Sequence, residues 1–421
     1  MRRPQQGSAL ASRERTWTIR LLILAASASI AVSIIYLPQA LLTAMAASFG
    51  ISPLVTGAVA TAVQIGYAIG IFLFVPLADR VHPRRHITIQ SAALGVALAV
   101  SAVVPNVVAL AISFFTVGLV ANIAQVLIPV VGKLAPEDKR SRATGTMVGA
   151  LLIGVFGGRI IAGLLVDSIG WRLVVAVFAA TILCTIPLTR RILQVKWVTP
   201  APGSKYRVLL ADTLRLTTRS PELVESSFIQ FFAFATFNMF WTVSVIHLTS
   251  ETHGWSVASA GLFGLVGLSA VVITPLFGPA IDRFGSLGVI AVSLPILLCA
   301  CISVALDSDH IALFAVSLFV VTACNQSLQA ANQTRVLSAN EQYEARANTM
   351  FMVAVFAGGS TGAVLAPLAY GLGQTPAVAM IASILIAVDI AVLCVVCVRH
   401  RRRTAVTSSD LGLVDESTSP R

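Results

Sequence analysis

Apolar residues fall along this chain in long blocks separated by short polar stretches. Neither the alternation of a half-buried strand nor the three-and-four spacing of a helix with one wetted face describes them. Each block is about 20 residues long, the length an α-helix needs to cross a bilayer core. The pattern predicts helices over 21–46, 53–78, 87–104, 108–132, 144–166 and 172–190, then over 223–248, 257–280, 287–306, 311–331, 348–370 and 375–398. The expected fold class is an all-α integral membrane protein, twelve crossings in two six-helix bundles.

Composition agrees: of 421 residues, 57% are hydrophobic and 11% charged, against about 25% charged in a soluble domain. The formal net charge is +11, but nucleic-acid binding would need a basic folded face or arm. Lys and Arg instead occupy alternate loops: the N-terminus, Arg80 with Arg84 and Arg85, Lys133 to Arg142, the central linker, Arg283, Arg335 and Arg346, and Arg399 to Arg403. The opposite loops hold little that is basic except Arg172. This is the asymmetry that orients membrane proteins, and it predicts that both termini are cytoplasmic. No nucleic-acid partner is expected.

The expected divisions are an N-terminal segment, 1–20; a first bundle, 21–190; a cytoplasmic linker, 191–222; a second bundle, 223–398; and a disordered tail, 399–421. The first apolar run is too long for a signal-peptide core and reads as a retained anchor. Within the linker, KYRVLLADTLRLTTRS reads either as a helix lying on an anionic membrane surface or as a solvated loop. All six cysteines lie in apolar blocks, and the CxxC of Cys394 and Cys397 has no companion ligands. No disulfide, metal or cofactor is expected. There is no HExxH, GxSxG or GxxxxGK[ST] motif, so the chain reads as a non-enzyme driven by a gradient, not by ATP.

The halves repeat one another. PLADRVHPRR follows the second predicted helix and GPAIDRFG the eighth, which puts Asp79 and Asp282 at equivalent points of two pseudo-symmetric units. GPAIDRFG matches the GxxxDRxG loop of the major facilitator superfamily in full, while the first copy has Val75 and His82 at the glycine positions and Pro83 at a usually basic one. With YLPQALL, AQVLIP, GRIIAGLLVDSIGWR, GLFGLVG, NQTRV and ARANTMFM, the whole chain resembles that superfamily, in a bacterial branch similar to drug and sugar efflux permeases of the drug:proton antiporter kind. The resemblance implies a monomer in the bacterial plasma membrane that exports a small, partly apolar molecule by alternating access and proton antiport. Import by symport or uniport uses the same fold, and a membrane sensor is the remoter alternative. It also implies that helices 1, 4, 7 and 10 line the path, that 2, 5, 8 and 11 form the seam, and that protons and membrane lipids are partners.

Polar groups on the path helices are costly if they face lipid. They are Tyr36 and Gln39, Asn122 and Gln125, Asn238 and Trp241, then Asn325, Gln326, Gln329 and Asn332. They line water or bond between helices. Phenylalanines near Asn238 would offer an apolar substrate a ring surface. Asp79 and Asp282, with Arg80, Arg84, Arg85 and Arg283, are expected at the inner gate. The GxxxG pairs Gly66/Gly70, Gly145/Gly149 and Gly358/Gly362 are expected at close helix approaches, and Pro129, Pro275 and Pro367 at bends.

Ionisable groups at membrane depth are few. His247 is either a titrating group or an interfacial histidine, and Asp389 either a coupling group or a structural one. Arg159, in GVFGGRIIAG, lies about 15 residues into helix 5, roughly 22 Å along it. It either binds substrate or outer-gate carbonyls, as a coupling candidate beside His247 and Asp389, or snorkels to the outer surface.

Overall fold

The computed structural model describes residues 4–194 and 206–416. Linker residues 195–205 and the end of the tail, 417–421, lie outside it. Among the described residues nine helical segments are long and apolar enough to span a membrane. Three of these, Arg142–Ile192, Val257–Leu306 and Glu341–Arg399, run for 51, 50 and 59 residues, twice the length of one crossing. Each contains non-helical backbone, at Gly170, at Gly285, and at Gly373 with Gln374. Division at these points gives the twelve-helix arrangement.

In chain order α1 is Pro4–Ala40, extended past a break at Leu41 by Leu42–Phe49; α2 is Pro53–Phe74; α3 is Pro83–Val103. Helix α4 is split into Val107–Val120 and Ile123–Leu134, and α5 and α6 are 140–169 and 171–192. In the second half α7 is Pro221–Leu248, α8 is 257–284 in short pieces, α9 is 286–306 and α10 is Ile311–Ala339. Then α11 is 344–372 and α12 is 375–416. Side-chain caps mark several starts: Asn106 accepts from the Ala109 N–H (2.9 Å) and Ser220 from the Leu223 N–H (3.3 Å), with Pro221 as the first helical residue.

Two corners need glycine. Gly170 (φ 76°, ψ 156°) joins α5 to α6, and Gly285 (φ 72°, ψ 158°) joins α8 to α9; only glycine enters that region without strain. The departure of the first loop from the repeated motif is explained here as well. His82, where the motif has its second glycine, keeps a negative φ of −55° and caps α3, its Nδ1 accepting from the Arg84 N–H (3.2 Å), with Pro83 as the first helical residue. A cap and a proline make the turn that Gly285 makes in the second half.

Several expectations are corrected. The bend in α4 falls at Ala121 and Asn122, while Pro129 lies inside the unbroken helix Ile123–Leu134. Pro367 leaves α11 helical, whereas Pro275 does sit in the 3-10 turn Thr274–Leu276. Gly145 and Gly149 have open space beside them, and the other two pairs pack within bundles: Gly66 and Gly70 against Phe115 and Leu119 of α4, Gly358 and Gly362 against Phe231 and Ala235 of α7. Helix α12 continues to Glu416, past residue 398; arginine is a good helix former, and the run Arg401 to Arg403 gives the backbone no reason to stop. The linker segment is helical over Tyr206–Arg215, with the Tyr206 hydroxyl donating to the Leu73 carbonyl.

Helix α2 packs on α4 and α11, α5 on α1 and α8, and α7 on α11. The outer wall is apolar, with Val103, Val272, Leu306 and Leu372 each more than three-quarters exposed, as helices facing lipid require. Arg172, alone among the loops opposite the basic ones, is occupied: it donates to the Ala102 and Val104 carbonyls at the end of α3 (2.9 and 3.0 Å) and its guanidinium lies 4.4 Å from the Trp171 ring centroid. There it satisfies helix-terminal carbonyls.

Candidate functional site

A cavity of about 160 Å³ lies between the two halves, lined by residues of α1, α2, α4, α5, α7, α8, α10 and α11. The peripheral helices contribute nothing to it. On α10 and α11 the lining residues, Asn325 to Gln333 and Met352 to Phe356, come from the halves nearest the basic loops, and on α5 they run from that half, at Val148, to just past the midpoint, at Phe156. At the opposite end the bundles meet. A methyl group on Gly163 would lie 2.8 Å from the Gly261 Cα, one on Gly57 2.9 Å from the Pro367 ring, and the Asp167 carboxylate accepts from the Ala258 N–H at 3.1 Å. The molecule is closed on that side of the cavity.

At the closed end stands Arg159, 4% exposed. Its Nη1 donates to the Val155 carbonyl (2.8 Å) and its Nη2 to Gln39 Oε1 (2.5 Å), and its guanidinium carbon lies 4.4, 5.2 and 5.6 Å from the ring centroids of Tyr36, Trp241 and Phe156. Snorkelling to the outer surface is thereby overturned: the side chain turns inward, held by a backbone carbonyl and three rings.

From Arg159 a buried chain of hydrogen bonds crosses between the bundles. Gln39 Nε2 donates to Asn238 Oδ1 (3.1 Å), as does Gln64 Nε2 (3.0 Å), while Asn238 Nδ2 donates to the Phe234 carbonyl (3.1 Å). One oxygen of α7 thus ties down α1 and α2. Trp241 Nε1 donates to Thr322 on α10 at 3.1 Å. Below it, Gln230 donates to Asn325 (3.2 Å) and accepts from Asn332 (3.4 Å).

The expected path residues divide. Tyr36, Gln125, Asn325, Gln326 and Gln329 are on the cavity wall; Gln39, Asn238, Trp241 and Arg159 close its far end. Asn122 lies elsewhere, at the α4 break, its amide set among the backbone carbonyls of α2 and α4; with the amide turned so that its nitrogen faces acceptors, it donates to the Gly70 and Leu119 carbonyls at 2.8 and 3.2 Å. Phe234 and Phe237 stack (5.5 Å) and line the wall, while Phe228 points away and is exposed. Missed from sequence were Gln64 and Tyr67 on α2 and Gln230 on α7. Gln64 and Tyr67 stand three apart in an apolar block, the same signal that marks α10, on a helix that the resemblance assigns to the seam.

The coupling and gate candidates lie away from the wall. His247 is engaged through both nitrogens: Nε2 donates to the Ser308 carbonyl (2.9 Å), and Nδ1 bonds to the Thr375 hydroxyl (2.8 Å). Its imidazole, His253 and Asp309 bring ligand-type atoms within 4.8 Å of one another, yet those two hydrogen bonds already engage both His247 nitrogens. Asp389 is fully buried on α12 with neither oxygen bonded. Asp282 is exposed, Arg283 stands over Phe284, and Arg80 faces the Tyr206 ring at 6.0 Å. Arg84 and Arg85 line a shallow pocket with Arg190.

The architecture has known counterparts. The crystal structure of the nucleoside transporter NupG superposes with a TM-score of 0.73 at 15% identity, over 90% of this chain and 99% of that one. A POT family transporter in complex with 5-aminolevulinic acid gives 0.71 at 17%, over 90% and 95%. In sequence, a "probable transporter", SCO4007 of Streptomyces coelicolor, is 32% identical over 349 residues, 80% of this chain and 78% of that one; the "uncharacterized transporter" YgaY of Escherichia coli O157:H7 is 26% identical over 354 residues, 84% and 89%. The sequence model described as Major Facilitator Superfamily matches residues 21–340 and 227–412. Twelve apolar helices paired about a central cavity, a repeated loop motif and these likenesses place the chain together: it is a membrane transporter belonging to the major facilitator superfamily.

Proposed function

We propose that the chain is a secondary active exporter in the bacterial plasma membrane, with both termini cytoplasmic, that moves a small, partly apolar molecule by alternating access in exchange for protons. The observation that carries the reading is the central cavity: it extends from mid-helix toward the basic loops, its wall is apolar apart from amides, two tyrosines and Thr274, and its far end is shut. The substrate would enter from the cytoplasm and lie against Phe234, Phe237 and Phe156. Gln125, Asn325, Gln326 and Gln329 would orient it. Parting of Gln39 and Gln64 from Asn238 would accompany opening to the other side, and Asp79 and Asp282, with Arg80, Arg84, Arg85 and Arg283, would then close the cytoplasmic end. The exposure of Asp282 suits an inner gate standing open. The exchanged proton would be carried by His247 or Asp389.

The test is uptake into inverted vesicles, with and without a pH gradient, against a compound panel. Accumulation that collapses with the gradient supports proton antiport. Accumulation indifferent to the gradient removes the antiport, and no movement of any compound removes the export reading.

A further inference from the structure

Resting on the transport reading, we propose that the substrate carries a carboxylate or similar oxyanion on an apolar body, and that Arg159 receives its charge. Three observations meet at this residue. Its charge has no counterpart: among the described residues the ion pairs join Arg215 to Asp212, and Arg335 and Arg399 to Glu225, and none reaches Arg159. A guanidinium stays protonated, and a lone buried charge is the costliest group a membrane protein keeps. Its hydrogen bonding is also incomplete, since two of its nitrogens are engaged while Nε is buried without a partner. A planar fork with donors to spare matches an oxyanion in bidentate geometry.

The third observation is position. Tyr36 and Phe156, which cover the guanidinium, are themselves on the cavity wall, so Arg159 stands one side-chain layer behind the cavity. Rotation of Tyr36 uncovers it. The remaining wall near it, Val32, Leu151, Leu152 and Val155, receives an apolar body. An anion on Arg159 competes directly with Gln39 Oε1, the oxygen that holds Gln39 in its bridge to Asn238. Arrival of the correct charge therefore loosens the tie that closes the far end, and binding is linked to opening.

The experiment uses the full-length protein in liposomes and three probes of matched shape: 3-phenylpropionate, its amide, and 3-phenylpropylamine. The acid is expected to move at least tenfold faster than the amide or the amine, and to respond to an imposed membrane potential. Arg159→Gln is expected to lose at least tenfold of the acid's rate, and Arg159→Lys, which keeps the charge without the planar fork, to lose less than Arg159→Gln, each in protein that remains folded. If Arg159→Gln fails to fold, the ranking of the three probes on the unaltered protein still decides. Equal or faster movement of the amide or amine overturns the assignment, as does undiminished movement of the acid in a folded Arg159→Gln, and both leave the transport reading standing. Failure of these and of every compound in the vesicle panel overturns the transport reading itself.

Discussion

Asn238 shows how much a single neutral side chain can carry. Its Oδ1 accepts from both Gln39 and Gln64, so removing it leaves two buried amide donors unpaired. An unsatisfied buried donor costs about 1–3 kcal/mol; Asn238→Ala is expected to destabilise the protein on that scale, read as a lower melting temperature in detergent, and to free the far end of the cavity. Asp389 is the opposite case. Both of its oxygens are buried without a partner, and an unpaired polar group in an apolar site destabilises. Asp389→Leu is expected to raise the melting temperature, and transport that survives it would remove Asp389 as the proton carrier. The polar positions themselves were legible in the sequence, because any amide inside an apolar block stands out. Which of them face the cavity was not: Gln125 reaches it and Asn122, on the same helix, sits at a backbone break instead.

Among helices, glycine spacing has to be read with the neighbour in view. Gly154 and Gly145 lie on the same helix, α5, yet a methyl on Gly154 would meet the Ser29 carbonyl oxygen at 2.2 Å while one on Gly145 would meet nothing within 4 Å. Overpacking at such a contact costs about 1–3 kcal/mol, so Gly154→Ala is expected to destabilise measurably in thermal melts. Gly145→Ala should stay within about 0.5 kcal/mol of the parent. Gly154 and Gly158 stand four apart like Gly145 and Gly149, yet only the first two meet a neighbour, Ser29 and Ser33 of α1; small-residue spacing says that a helix can approach another, not that one is there. Helix positions fared better. Every predicted block has its counterpart, and the differences gather at ends and breaks, where a helix runs on past the apolar stretch or is interrupted by local geometry such as that of Ala121 and Asn122.

For the whole molecule, the meeting of α5 and α8 decides which way the cavity faces. Asp167 and Ala258 touch across it through one hydrogen bond of 3.1 Å. In a background without native cysteines, Asp167→Cys with Ala258→Cys is expected to cross-link and to stop transport, with recovery on reduction; full activity in the cross-linked protein would show that this end need not part. By itself the sequence determined that the chain is a twelve-helix membrane protein in two related halves, because block length, loop charge and a repeated DR motif are local properties that the bilayer reads directly. Only the tertiary structure decided that Arg159 turns inward without an acidic partner, that Gln64 and Tyr67 of α2 join the site, and that the cavity is shut on the side away from the basic loops. Those facts depend on which faces meet, and in a helix apolar all round the sequence names no face.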